Sequence, residues 1–197
     1  NVPLGFNTAG ESQLLSYMIA WFYKILLILP INILKFLPGS PTDINVTYAA
    51  IIFPVFMFGL TIIAFFLLTK EIFKNSFENK YYPMIIAVIA CIFLAFSPSI
   101  LPRTIAGIPE KESVAFLFIF LSLYFMIMAF NSKTNKRTLI YGVIAGLCTG
   151  ILGLIWGGIT FILTTIGLSF LASFLLGVID KKRLYLLIIW VLTLSII

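Results

Sequence analysis

The chain has 197 residues, of which 61% are hydrophobic and 16% aromatic, with 20 Phe and no His. Its mean hydropathy of +1.15 is far above that of soluble domains, in which about half of the residues are apolar. These values exclude a soluble globular domain and indicate an all-α protein that crosses a membrane several times. The formal net charge of +6 therefore reports on orientation in the membrane, and we expect no nucleic-acid partner.

The first apolar run, residues 13–37, is interrupted by Lys24, Pro30 and Lys35. A proline inside a helix removes a backbone donor and kinks or ends the helix. A lysine near the bilayer centre costs about 2.5–3.5 kcal/mol. A kinked span is the alternative. We predict instead that residues 13–37 do not cross the bilayer and that residues 1–45 form an external loop segment with membrane-associated helices.

Residues 46–197 contain six further apolar runs. A run of about 18 or more apolar residues is typical of a membrane span, and the last run is shorter than that. Because that run reaches the final residue and the chain starts without Met, we interpret the chain as truncated at both ends. The predicted spans are 46–69, 84–101, 114–130, 138–155, 158–179 and the truncated 184–197.

Basic residues are concentrated in alternate links between these runs. The links 70–80, 131–137 and 180–183 carry three Lys or Arg each, which is nine of the 13 in the chain. Cytoplasmic loops carry an excess of Lys and Arg, so the pattern places these three links inside. The link 97–113 is then on the external face.

The external link 97–113 is unusually rich in charge, with Arg103, Glu110 and Glu112 close together. Two prolines favour a loop here, because proline restricts the residue before it to extended geometry. If residues 110–112 stay extended, both carboxylates point the same way. Paired carboxylates are suitable ligands for Mg²⁺ or Mn²⁺, and an arginine can hold a phosphate or a carboxylate.

The same residues have a purely structural alternative. Pro109 followed by two glutamates is also typical of a helix start, where acidic side chains face the positive end of the helix dipole. Apart from the two lysines of the first run, the apolar runs contain no charged residue and no His. This argues against an ion-coupled pump. Any chemistry is therefore expected at the external rim.

A glycine pattern marks the run 138–155. Gly142, Gly146 and Gly150 recur every four residues and so share one helix face. Small residues at this spacing let helices approach closely in lipid. We predict a packing face, followed by a turn at Trp156-Gly157-Gly158 at the external interface.

The wider stretch resembles the catalytic subunit of oligosaccharyltransferase, most closely the archaeal form. In that family an external loop carries an Arg, then Ala-Gly, then an acid-x-acid motif. The next transmembrane helix begins at this motif. Arg103-Thr104, Ala106-Gly107 and Glu110-x-Glu112 match in type, order and spacing, and Trp156-Gly157-Gly158 fits a later helix end.

The resemblance implies a lipid-phosphate-dependent (GT-C-like) glycosyltransferase. It would transfer an oligosaccharide from a dolichol or polyprenyl phosphate or diphosphate carrier to Asn of an Asn-X-Ser/Thr sequon in an acceptor polypeptide. By the same resemblance, Glu110 is a ligand of a divalent cation, Mn²⁺ or Mg²⁺. Glu112 is the second acid, contacting the metal or the acceptor amide, and Arg103 orients a site acid or the lipid-linked phosphate. The expected location is a multi-pass position in the cell membrane of an archaeon.

The sequence also departs from the family. Both motif acids are Glu, although Asp is commoner at the first position. A second acidic motif and a sequon-reading domain are expected before Asn1 and after Ile197, so we expect the chain to be inactive by itself. Two alternatives stay open: another lipid-linked-sugar-dependent glycosyltransferase, such as a mannosyltransferase, and a non-enzymatic transporter or scaffold component.

Overall fold

The computed structural model describes residues 13–28 and 45–197, and every regular element within them is helical. This confirms the predicted all-α fold. A short 3₁₀ turn at Leu101–Arg103 precedes the fourth α-helix. The α-helices are α1 (Leu14–Ile28), α2 (Val46–Phe73), α3 (Tyr82–Ala95), α4 (Lys111–Phe130), α5 (Asn135–Ile155), α6 (Ile159–Leu175) and α7 (Lys181–Ile196).

Three of these helices, α2, α4 and α5, are long and apolar enough to cross a membrane, with 28, 20 and 21 residues. Two others are shorter than the apolar runs that contain them. Helix α3 stops at Ala95 rather than Leu101, because Pro98 cannot continue a helix and restricts the residue before it. Helix α6 stops at Leu175, two residues before Gly177, whose φ of 68° lies in the left-handed region that ends many helices.

The links between helices collect at two ends of the bundle. Residues 96–110 and the turn 156–158 lie at one end, here called the loop end, where the Gly107 N–H donates to the Ile51 carbonyl of α2 at 3.0 Å. The links 74–81, 131–134 and 176–180 lie at the other, here called the basic end. There the Lys182 amine donates to the Ser132 carbonyl and joins the start of α7 to the link 131–134.

The glycine face of α5 packs against α7, as the spacing predicts. A Cβ added at Gly146 would lie 2.6 Å from Cβ of Thr193 and 3.0 Å from the Trp190 carbonyl oxygen. A Cβ added at Gly142 would lie 2.9 Å from Cδ1 of Leu186. No larger side chain fits between these helices without moving them apart, so the close contact requires glycine.

A cluster of three buried polar side chains joins three helices inside this core. The Thr149 hydroxyl of α5 lies 2.7 Å from the Ser122 hydroxyl of α4 and accepts a hydrogen bond of 3.0 Å from the Trp190 indole of α7. Thr149 in turn donates to the Ala145 carbonyl at 2.8 Å. All polar atoms in the group have partners, which is what a low-dielectric interior requires.

Helix α1 lies against the loop-end half of α2. Its Phe22 ring contacts Phe53 with centroids 5.5 Å apart, and Phe22 and Leu26 are buried while Lys24 is exposed. Fifteen residues span about 22 Å, which is less than the hydrocarbon core of a bilayer. Pro30 and Lys35 lie outside the described residues, so the statement that 13–37 does not cross stays a prediction, as does the predicted inside–outside orientation.

Candidate active site

The loop that presents Arg103 is fixed by a buried hydroxyl. Pro102 lies near the start of the 3₁₀ turn. Thr104 directly follows the turn, and only 4% of its surface is exposed. The Thr104 hydroxyl donates to the Ile100 carbonyl at 3.1 Å, and the Thr104 N–H donates to the Leu101 carbonyl at 3.2 Å. These bonds hold the backbone of Arg103 at the rim of the bundle.

Gly107 fastens the second half of the loop. Its φ of 89° lies in the left-handed region that costs little only for glycine. In this conformation its N–H reaches the carbonyl of Ile51 on α2. The loop therefore has a fixed attachment on each side of the segment that leads into α4.

Helix α4 begins immediately after Glu110, which corrects the prediction of an extended 110–112 segment. Glu110 is the N-cap residue with extended backbone, and its side chain makes no capping hydrogen bond. Ser113 closes the first turn, since its hydroxyl donates to the Glu110 carbonyl at 2.7 Å. The structural alternative, a helix start, is thus correct for the backbone, while the Glu110 carboxylate stays free to turn toward the loop.

The three charged side chains singled out in the sequence meet at one guanidinium. Nη1 of Arg103 lies 2.5 Å from Oε1 of Glu112 and 3.7 Å from Oε2 of Glu110. The side chains of Arg103, Glu110 and Glu112 are 47%, 41% and 19% exposed. The two carboxylates therefore both approach Arg103, and they do so from a helix start rather than from an extended segment.

Glu112 also faces a cavity of about 590 Å³, whereas Glu110 does not line it. The structure thereby distinguishes the two acids: Glu112 lines the cavity and Glu110 does not. Sequence reasoning missed Phe116 and identified Trp156 only as part of a turn, not as part of this wall. The cavity is lined by Pro98, Ser99, Pro102, Arg103, Glu112, Phe116 and Trp156.

Trp156 is held in that wall by the glycine two residues later. A Cβ added at Gly158 would lie 2.0 Å from Cζ3 of the Trp156 ring, while one added at Gly157 would meet no atom within 4 Å. The indole therefore rests directly on the Gly158 backbone. The Trp-Gly-Gly spacing was the signal in the sequence, but it does not reveal which charged loop the indole faces.

The carboxylates of Glu110 and Glu112 are hard oxygen donors of the kind that Mg²⁺ and Mn²⁺ prefer. Among residues 13–28 and 45–197, no three His, Cys, Asp or Glu side chains come together in a group that could hold a metal ion. Mg²⁺ is commonly held by one or two carboxylates together with waters and substrate phosphates. The described residues fit that arrangement with two carboxylates and an adjacent guanidinium.

A search of curated proteins finds no significant match to this chain. The family described as "Oligosaccharyl transferase STT3, N-terminal" matches residues 2–197. The match covers both loops of the loop end, the charged cluster and helices α1 to α7. It agrees with the helical membrane fold. This chain therefore belongs to the STT3 N-terminal family of oligosaccharyl transferases.

Proposed function

We propose that the chain forms the membrane part of the catalytic subunit of an oligosaccharyltransferase of the archaeal type. Family membership supports oligosaccharyl transfer in protein N-glycosylation. The finer proposal is that the donor is a dolichol or polyprenyl phosphate or diphosphate oligosaccharide and the acceptor an Asn-X-Ser/Thr sequon. The observation that carries it is the convergence of Arg103, Glu110 and Glu112 beside a cavity that Glu112 lines.

In the reaction, the acceptor amide nitrogen loses a proton and bonds to the anomeric carbon, while the bond from that carbon to the carrier phosphate oxygen breaks and the released phosphate keeps the bonding electrons. The amide proton passes to the released phosphate or to water. We assign Glu112 to the reacting groups because it lines the cavity; its carboxylate accepts a hydrogen bond from the acceptor amide N–H or holds the metal. Glu110, at the rim, is the second metal-holding carboxylate. A divalent cation, when bound, neutralises charge on the departing phosphate.

Arg103 connects the two acids to the donor phosphate. A guanidinium has five N–H donors in a planar fork, and Nη1 alone serves both carboxylates. Its remaining donors are suited to phosphate oxygens. The aromatic rings of Phe116 and Trp156 keep water from one side of the cavity, which strengthens the electrostatic interactions beside them.

The experiment measures glycan transfer to a sequon peptide by the full-length protein in membranes. Glu112→Gln and Glu110→Gln each remove a metal-holding charge, so we expect transfer to fall by about 100-fold or more while expression and membrane insertion stay unchanged. A helix-cap carboxylate contributes only about 0.3–1 kcal/mol, so a purely structural role predicts near-normal transfer.

The matched control is Glu78→Gln, an exposed acid at the basic end. It should leave transfer unchanged. A chelator should abolish transfer by the unaltered protein, and added Mn²⁺ or Mg²⁺ should restore it. Transfer within a few-fold of the unaltered protein in both Gln variants contradicts the proposal.

A further inference from the structure

The basic end contains a cleft of about 950 Å³ between the last turns of α2 and the start of α3. Its charged wall includes Lys70, Lys74 and Lys80, and its apolar floor includes Leu67 and Met84. Nothing in the proposed transfer reaction uses this cleft, which lies at the opposite end of the bundle from Glu112. We propose that it binds the phosphate headgroup of an anionic phospholipid.

The charges in the cleft favour a singly charged anion. Lys74 is already paired, since its amine lies 3.1 Å from Oε1 and 3.2 Å from Oε2 of Glu71. Lys70 and Lys80 are exposed, and among the described residues neither has an ion pair. The lining holds three lysines against Glu71 and Glu78, a net charge of +1 that matches one phosphodiester.

Two other basic side chains at this end make contacts within the protein. Lys182 donates to the Ser132 carbonyl. Arg183 donates to the Val178 carbonyl, and its guanidinium lies over the Phe130 ring, 4.5 Å from the centroid. These contacts fasten α7 to neighbouring links. Lys70 and Lys80 differ because no such contact occupies them within the described part of the chain.

The position along α2 favours a lipid over a free phosphate ion. The 28 residues of α2 span about 42 Å, which exceeds the roughly 30 Å hydrocarbon core and reaches the headgroup region. Tyr81, at the cleft mouth, is 71% exposed, and tyrosine is typical of this interface. The apolar floor gives the first acyl carbons a surface that a free ion would not need.

The test is native mass spectrometry of the purified protein in mild detergent, titrated with phosphatidylglycerol, phosphatidylcholine or inorganic phosphate. We expect one phosphatidylglycerol to bind more tightly than phosphatidylcholine. A lysine near an anionic headgroup is worth about a five-fold change in affinity, so the double variant Lys70→Gln/Lys80→Gln should weaken binding by about 10-fold or more. The matched control, Lys133→Gln/Lys136→Gln, removes the same charge from exposed lysines outside the cleft.

Three outcomes would overturn the proposal. Equal weakening by the two double variants means that surface charge alone attracts the lipid. Equal binding of phosphatidylcholine means that the phosphate is not recognised through the lysines' charge. Competition by millimolar inorganic phosphate with no preference for lipid means a free-anion site. Because both pairs of lysines are exposed, both variants should fold, and a circular dichroism spectrum checks that they do.

Discussion

The two ends of the helical bundle use charge in opposite ways. At the loop end, Arg103 lies against the carboxylates of Glu110 and Glu112, on a loop fixed by Thr104 and Gly107. At the basic end, charged side chains are mostly lysine and arginine, and two of them, Lys182 and Arg183, bind backbone carbonyls instead of carboxylates.

On the proposed function, charge at the loop end serves chemistry, whereas Lys182 and Arg183 at the basic end serve packing. A cluster of opposite charges beside a cavity can rearrange around a bound phosphate or metal, because its members are only partly buried. Cations that bind helix ends and rings fasten the links between helices. We therefore expect changes at the loop end to reduce transfer with little effect on stability, and changes at the basic end to do the reverse.

Among the substitutions that compare the two ends, the largest effect should come from Arg103→Ala. Removing the guanidinium leaves the two carboxylates without their shared partner. It also removes the N–H donors proposed to bind the donor phosphate, so transfer should fall by about 100-fold. The free energy of unfolding should change by less than about 1 kcal/mol, because the ion pairs are partly exposed. Glycan-transfer kinetics and chemical denaturation measure the two quantities.

Arg183→Ala at the basic end is the matched control for Arg103. It removes the contact with the Phe130 ring and should lower stability by about 1 kcal/mol while transfer stays within two-fold of the unaltered protein. The comparison between the ends fails if Arg183→Ala reduces transfer as strongly as Arg103→Ala does.

A smaller effect should follow from displacing Trp156. Gly158→Ala places a methyl group where the indole now lies, so the ring must leave the cavity wall beside Glu112. We expect transfer to fall by about 10-fold, which corresponds to roughly 1.4 kcal/mol of barrier. Gly157→Ala, one residue earlier, has open space around it and should keep normal transfer. Equal effects of the two substitutions would show that the turn, and not the indole position, matters.

The smallest effect concerns Asp180 at the basic end. The Arg183 N–H donates to Oδ1 of Asp180 at 2.8 Å, and this backbone hydrogen bond, aided by nearby positive charge, lowers the pKa of Asp180. A lowered carboxyl pKa stabilises the folded protein above the ordinary aspartate value of about 4, and that stabilisation is lost as the pH falls through the folded-state pKa.

Asp180→Asn keeps an oxygen that can accept the capping bond but removes the charge. The thermal midpoint of the unaltered protein should therefore exceed that of the Asn variant slightly at pH 7, and the difference should disappear at a pH below the folded-state pKa of Asp180. Asp180→Ala, which removes the cap itself, should be less stable at both values. A difference between the unaltered protein and Asp180→Asn that does not depend on pH contradicts this explanation.

Sequence determined the features that depend on local composition and spacing. Apolar runs of membrane length require helices, because backbone polar groups have no water to bind in lipid. The four-residue glycine spacing on α5 determined a close-packing face, because residues at that spacing share one side of any helix. The charged loop also stood out from the sequence, since Arg103, Glu110 and Glu112 come close together in a chain with only 10% charged residues.

Tertiary structure decided which of these features meet. Trp156 enters the wall beside Glu112 because α4 and α5 pack against each other, and no spacing in the sequence states that pairing. The different positions of Glu110 and Glu112 arise from the start of α4, which turns Glu112 toward the cavity and leaves Glu110 outside its lining. The convergence of both acids on Arg103 likewise depends on where the loop is attached, at Thr104 and Gly107. Contacts between distant residues depend on the packing of whole helices, which local patterns do not determine.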